Sequence, residues 1–416
     1  MVMLSHLRHF ALVDARQRHT QVADFAVALL EGDYPPVTHL FFHTPDKQLL
    51  ALPWDAVRTV DWQAGQITIA DLAAGQEAPP ESLRHAVLLN HDILDALILD
   101  LQNRRATRAN DLWLEEGDGK LLLRAADTSV RAVLRRLSRG RYGQVQTSEL
   151  VDWKYIEFLR GDPHAVRAGA GYHRRITRLP PGEVAHLTDL LPYLHAAELL
   201  TLLPDPVAAD TLEVLPPTRQ LQIFEELDED QGLRLLELMA PDAATDLVSC
   251  LSTRTARRYL NLLSPWQSER IIELLRYPAD TVGGIMTNDA VSVPAGLTVK
   301  EARQALQNRL RGPDFVYFVY VVEDEKTRRL RGVLTLRYLL IAEEERRVEE
   351  IMNSYLIILR PLEPARAAAY RVINSHLAAL PVVGQEGRLL GVVTVDAAVT
   401  RVAPESWSAQ APRIFS

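Results

Sequence analysis

"LPPGEVAHLTDL" at residues 179–190 is followed by "LPYLHAAELLTL" (191–202), "LPDPVAADTLEV" (203–214), "LPPTRQLQIFEE" (215–226), "LDEDQGLRLLEL" (227–238), "MAPDAATDLVSC" (239–250), "LSTRTARRYLNL" (251–262) and "LSPWQSERIIEL" (263–274). Every unit opens on Leu or Met: Leu179, Leu191, Leu203, Leu215, Leu227, Met239, Leu251 and Leu263. Pro comes next in the first four, then Asp228, Ala240, Ser252 and Ser264. Nine residues after most starts stands a second apolar side chain: Leu200, Leu212, Phe224, Leu236, Val248, Leu260 and Ile272. A fixed period decides architecture before any single residue does. One continuous helix is excluded, because at about 100° per residue twelve residues end about 120° off the starting face. The prolines exclude it again, at about 3 kcal/mol for each interior position. The spacing predicts a chain of helices of about 8–10 residues, each started by Pro, Asp, Ser or Thr. Helices this short cannot bury an apolar face alone, so they stack as a solenoid-like bundle.

The array is also where the negative charge sits. Residues 179–275 hold sixteen Asp and Glu against six Arg and no Lys, a net of −10, while the whole chain carries −8. A length of 416 residues leads us to expect about two to four domains. Hydrophobic content of 47% and charged content of 24% are ordinary for a soluble globular protein. The single cysteine, Cys250, excludes an internal disulfide and a cysteine-cluster zinc site, and fits a reducing compartment. Met1–Phe10 has no apolar core of signal-peptide length. The longest apolar run, Phe315–Val322, has eight residues, against about 20 for a membrane-spanning helix. The expectation is a cytoplasmic protein.

The first 160 residues read as strands. Val37–Phe42, Gln48–Leu52, Val57–Asp61 and Gln66–Ile69 are short, aliphatic and separated by Gly, Pro and Asp. A second copy follows at Ala86–Leu89, Leu97–Leu101, Leu112–Glu115, Leu121–Ala125 and Val145–Val151. "LPWDAV" (52–57) closes the first and "VDWKYI" (151–156) the second. With "YPPVTHLFF" (34–42) and "NRRATRANDLWL" (103–114), these segments resemble the PRC-barrel family. The resemblance implies two small β-barrels in tandem. Trp54 and Trp153 read as barrel-core residues rather than ligand platforms. A helical insertion near 128–139 carries Arg131, Arg135, Arg136 and Arg139, with Arg141 just beyond. It reads either as a solvated helix face or as a contact for RNA or anionic lipid. No aromatic interleaving supports base stacking.

Residues 161–178 read as a linker. "GAG" at 169–171 lacks the third glycine and the leading strand of a dinucleotide fingerprint. No nucleophile or acid–base constellation is visible, so an enzyme is not expected.

Beyond the array, "YPADTVGGIMTNDAVSV" (277–293) has Pro278 to stop the last helix and Gly283-Gly284 as a flexible joint. A second internal repeat follows: Ile285-Met286 recurs as Ile351-Met352, and Gly-Val-Leu-Thr at 332–335 recurs as Gly-Val-Val-Thr at 391–394. Each half reads strand, helix, two strands, helix, with Val316–Val322 and Ala379–Val383 as buried strands. The pattern resembles a tandem CBS pair. From 179 to about 400 the chain is similar to the cytosolic region of the MgtE magnesium channels and transporters. "PDAATDL" (241–247) matches that family's acidic repeat and "YPADTVGGIMT" (277–287) its junction.

The resemblance implies a sensor for Mg2+, a hard cation that takes oxygen ligands and keeps much of its water. Asp242 and Asp246, spaced i, i+4 and so on one helix face, match the family's acidic pair and are the first metal candidates. Glu225, Glu226 and Asp228 add carboxylates one unit earlier, and Asp289, Glu323 and Asp324 are candidate partners on the CBS side. For Asp242 and Asp228 helix capping stands as the alternative, and for Glu225 and Glu226 a solvated face. CBS pairs bind adenine nucleotides through a Gly-x-x-Thr/Ser-x-x-Asp run. Here Gly332 and Thr335 are followed by Tyr338 in the Asp position, and Gly391 and Thr394 by Ala397, with Asp396 one residue early. Bound ATP or AMP would then rest on Thr335, Thr394, Asp396 and the chain near Pro381 and Val383.

The full expectation is a multidomain chain of tandem small β-barrels, an all-α superhelical repeat array and an α/β CBS pair. Its boundaries are 1–80 and 81–160 (barrels), 161–178 (linker), 179–276 (array), 277–350 and 351–400 (CBS halves) and 401–416 (tail). Sixteen residues, Arg401–Ser416, stand where the family's transmembrane pore would begin. The expected function is a magnesium-sensing regulator, a homodimer through its CBS pair, acting on a separate membrane metal transporter and binding no nucleic acid. The alternative is a nucleotide-binding CBS adaptor without ion sensing.

Overall fold

The computed structural model describes residues 2–29, 32–77, 87–117, 119–138, 149–158, 175–309, 316 and 318–403. The chain folds as two compact units, Met1–Val207 and Ala208–Ser416, and the division falls inside the Asp205–Val214 helix.

In the first unit the strands Val37–His43, Leu49–Pro53, Val57–Asp61 and Gln66–Ile69 form where the aliphatic runs place them. Two strands that the sequence reading passed over, Ala11–Asp14 and His19–Val27, fill the middle of the same sheet, between Gln66–Ile69 and Val37–His43. In the second copy, Asp111–Gly117 pairs with Lys120–Asp127, and Leu97–Asp100 lies between Arg105–Arg108 and Ile156–Phe158.

The two copies do not close on themselves; each gives its leading segment to the other. Val2–Met3 pairs with Asp111–Gly117, and Val87–Leu88 pairs with His19–Val27. A buried aspartate secures each exchange. The Ser5 amide and hydroxyl donate to Asp111 at 3.0 and 2.5 Å. The Asn90 and His91 amides donate to Asp24 at 2.8 and 3.0 Å. An exchanged strand covers an edge that would otherwise be open. One apolar core results, running from Val2 through Phe25 and Leu52 to Trp153 and Phe158. The expected break at 80/81 lies outside the described residues; the described residues before and after it contribute to this one core. Trp54 and Trp153 are buried in this core.

The basic insertion forms the Val130–Leu137 helix, capped by Ser129; Arg131 is exposed, 3.8 Å from Glu149, while Arg135 and Arg136 depart from both readings offered above. Arg135 turns inward, 2.9 Å from Asp111 and 2.8 Å from Asp127. Arg136 clasps Asp95 with two bonds, at 2.5 and 2.7 Å. Neither guanidinium is a solvated face, and neither is left over for phosphate. Val130, Leu134 and Leu137 point outward instead. Arg139, Arg141 and residues 159–174 of the linker region lie outside the described residues.

The array consists of Pro181–Asp189, Tyr193–Leu202, Asp205–Val214, Pro217–Phe224, Glu229–Leu238, Pro241–Cys250, Thr253–Leu262 and Pro265–Leu274. Asp228, Ser252 and Ser264 cap the helices they precede, accepting from the amides of Gln231, Thr255 and Gln267. In the second unit Leu215, Met239, Leu251 and Leu263 are buried, as are Leu212, Phe224, Leu236 and Val248. At the end of the array the period meets no further unit, and Ile272 is 41% exposed.

The CBS pair repeats the exchange seen in the first unit. In the first half Phe318–Val322 lies between Ser292–Pro294 and Leu330–Thr335; in the second Ala379–Val383 pairs with Leu389–Thr394. The "IM" segments cross over. Thr287 exchanges both backbone bonds with Val392 at 2.9 Å, and Asn353 does the same with Val333 at 2.9 and 3.0 Å. This crossing explains the repeated Gly-Val. A Cβ on Gly391 would lie 2.3 Å from the Thr287 carbonyl oxygen, and one on Gly332 2.6 Å from the Met352 sulfur. Gly283-Gly284 is likewise a packed corner rather than a loose joint. A Cβ at Gly283 would lie 2.4 Å from the Tyr277 ring, and one at Gly284 2.3 Å from the Pro278 carbonyl. Their surroundings, not freedom of rotation, demand glycine there.

Candidate metal centre

The Pro241–Cys250 helix starts on Pro241 at its first turn, so Asp242 and Asp246 stand one turn apart on one face. Asp242 does not cap this helix through a side-chain bond to a later amide. The Thr287 hydroxyl, just after the "IM" crossing, stands near the Asp242 carboxylate and favours its ionised form. Thr287 Oγ1 in turn accepts from the Asp289 amide at 3.3 Å. The Pro265–Leu274 helix supplies Arg270, whose guanidinium lies 2.8 Å from Asp289. Arg270 Nε also donates to Asn288 Oδ1 at 3.3 Å, and Asn288 Nδ2 returns a bond to the Arg270 carbonyl at 3.0 Å. The Trp266 ring lies under the guanidinium, 4.6 Å from its centre.

Charge is poorly compensated on the aspartate pair. Burial pushes the Asp242 carboxyl well above the usual carboxylate range; the charge on Asp289 adds to this, and Thr287 and Arg270 offset it only in part. Asp246 is exposed along one flank, yet the protein packed around its carboxyl and the charge of Asp242 push it up to about 6. A nearby positive charge would bring both carboxyls back toward the usual range.

The other candidates fall into different settings. Asp228 caps its helix, accepting from Gln231 N at 2.7 Å, and Glu225 and Glu226 are exposed. Asp324 is taken up by its own turn, accepting from the amides of Lys326 and Thr327 at 2.8 and 2.7 Å, and Glu323 faces Arg329 at 4.0 Å. Thr335 and Thr394 cap the helices that follow them, accepting from the Tyr338 and Ala397 amides. The Pro381 carbonyl and the Val383 amide already bond Leu359, both at 2.9 Å, so those two groups are not open to a ligand. Asp396 is exposed in the first turn after Thr394. Among the described residues, no three His, Cys, Asp or Glu stand together as a closed metal cage. Two carboxylates suit an ion that keeps several waters, as Mg2+ does.

Thr287, Asn288 and Arg270 escaped the sequence reading. Arg270 had one available signal: it is one of only six cations in an array of sixteen acids.

The MgtE intracellular N domain matches residues 179–280, and the CBS domain matches residues 282–345 and 348–403. The crystal structure of the cytosolic domain of the Mg2+ channel MgtE in complex with ATP is 32% identical, with a TM-score of 0.53, covering 57% of this chain and 98% of that one. The chain belongs to the MgtE family. It is 42% identical over 123 residues to the magnesium transporter MgtE of Thermus thermophilus, and 34% identical over 130 residues to that of Enterococcus faecalis. Those matches cover 30% and 31% of this chain but only 27% and 28% of the two transporters. The chain thus spans about a quarter of the length of the MgtE relatives it matches. Among the described residues, no helix is long and apolar enough to cross a membrane.

Proposed function

We propose that residues 179–403 are a Mg2+-responsive regulatory part, not a catalytic one, that the chain is cytoplasmic, and that it regulates a separate membrane metal transporter as a homodimer through its CBS pair. The observation that carries this reading is the undercompensated Asp242–Asp246 pair, placed where the last helices of the acidic array meet the start of the CBS pair. Without a cation the two charges oppose close packing at that junction. A bound divalent ion supplies the missing positive charge and draws the junction together. The names of the relatives, magnesium transporters and a Mg2+ channel domain, support the choice of ion.

The test is small-angle X-ray scattering of the whole chain during a Mg2+ titration. A reduced radius of gyration is expected, absent when Asp242 and Asp246 are both changed to Asn. No reduction up to tens of millimolar overturns the reading. A second reading, an adenine-nucleotide adaptor, is supported by the ATP bound to the MgtE cytosolic domain and by the exposed Asp396. Calorimetric heat with ATP or AMP, without any Mg2+-dependent change of shape, would favour it.

A further inference from the structure

We infer that Arg270 is the resident cation of the Asp242–Asp246 site: it holds the junction when no metal is bound and opposes the entry of a divalent ion. This rests on the reading that the aspartate pair takes such an ion. Three neighbours hold the Arg270 guanidinium, Asp289 at 2.8 Å, Asn288 Oδ1 at 3.3 Å and the Trp266 ring beneath it, and Asn288 Nδ2 also bonds the Arg270 carbonyl. Its side chain is only 15% exposed. The guanidinium therefore sits in one place rather than sampling solvent, on a helix that packs against the one carrying the two aspartates, with Thr253–Leu262 between them in the chain. Its charge acts on Asp242 while its direct bond goes to Asp289. An arginine keeps its proton at any working pH. It cannot be switched off by titration; it can only be outcompeted or displaced.

Two consequences separate this role from that of a plain structural pin. A pin matters equally with and without metal. A resident cation stabilises the metal-free junction and lowers affinity for the ion that replaces it, so its removal has opposite effects in the two conditions.

The experiment follows the melting temperature of the whole chain against MgCl2 for the natural protein, Arg270→Gln, Arg270→Lys and Asp289→Asn. Arg270→Gln is expected to melt lower without metal and to reach its Mg2+ midpoint at about tenfold lower concentration. Arg270→Lys, which keeps the charge, is expected to keep the natural midpoint. Asp289→Asn leaves Arg270 with Asp242 as its remaining acidic neighbour at this site, and is expected to raise the midpoint. It decides the matter should Arg270→Gln fail to fold: a midpoint unchanged or lowered in Asp289→Asn overturns the inference. A natural protein that responds, with Arg270→Gln responding at the same or a higher concentration, overturns the role of Arg270 and leaves the sensing reading intact. If only Arg270→Gln responds, Arg270 is confirmed and sensing by the natural chain falls. If neither responds, both fall.

Discussion

Two acidic clusters in this chain, built from the same residue types, have opposite outcomes. Around Arg135 in the first unit, Asp111 and Asp127 are buried but fully engaged. Asp111 accepts from Ser5, from the Leu112 amide and from Arg135, and Asp127 from the Ser129 amide and Arg135. Around Asp242 in the second unit, the single guanidinium goes to Asp289, and the protein packed around the aspartate pair pushes both carboxyls above their usual range. Buried carboxylates with every oxygen answered are architecture. Carboxylates whose ionisation is pushed this far from the usual range are candidates for a functional site.

The largest effect that would break this comparison lies in the first cluster. Arg135→Met leaves two aspartates buried and unpaired, and is expected to destabilise the first unit by about 3–5 kcal/mol, measured by urea unfolding. A loss under about 1 kcal/mol would mean that the cluster is no more satisfied than the second one.

A smaller effect sharpens the other side. Because the Asp246 carboxyl is raised from its ordinary 3.8 to about 6, its contribution to folding is fully present below the ordinary value and is lost as pH rises through about 6. Without metal, the second unit is expected to melt higher at pH 5 than at pH 7.5. The change is about 1 kcal/mol or less, because the exposed flank screens the charge. Asp246→Asn should flatten that slope. An unchanged slope would assign it to another group.

Legibility followed the range of the interactions. The array is set by neighbours twelve residues apart, so its helix starts, caps and buried Leu and Met positions could be read directly. The CBS repeat was visible as a repeat, but its crossing was not. That Gly391 exists to admit the Thr287 backbone depends on two segments about a hundred residues apart. The same holds for Val2–Met3, which pairs far along the chain; Ala11–Asp14 and His19–Val27, which the reading passed over, form a local hairpin and were missed for another reason, their mixed His, Thr, Gln and Asp content. In the candidate site the helical spacing exposed Asp242 and Asp246 together. Thr287, Asn288 and Arg270 reach them only through tertiary packing, and Asp289 was one acid among several until Arg270 singled it out. Glu225, Glu226 and Asp228 carried as much acidity in the sequence; a cap and two exposed carboxylates are what folding makes of them.

Isothermal titration of Mg2+ into the natural chain and into the Asp242→Asn, Asp246→Asn double variant tests the centre of this account most directly. A saturable heat in the natural protein that vanishes in a still-folded double variant is the predicted result. An identical heat and midpoint in both would contradict it.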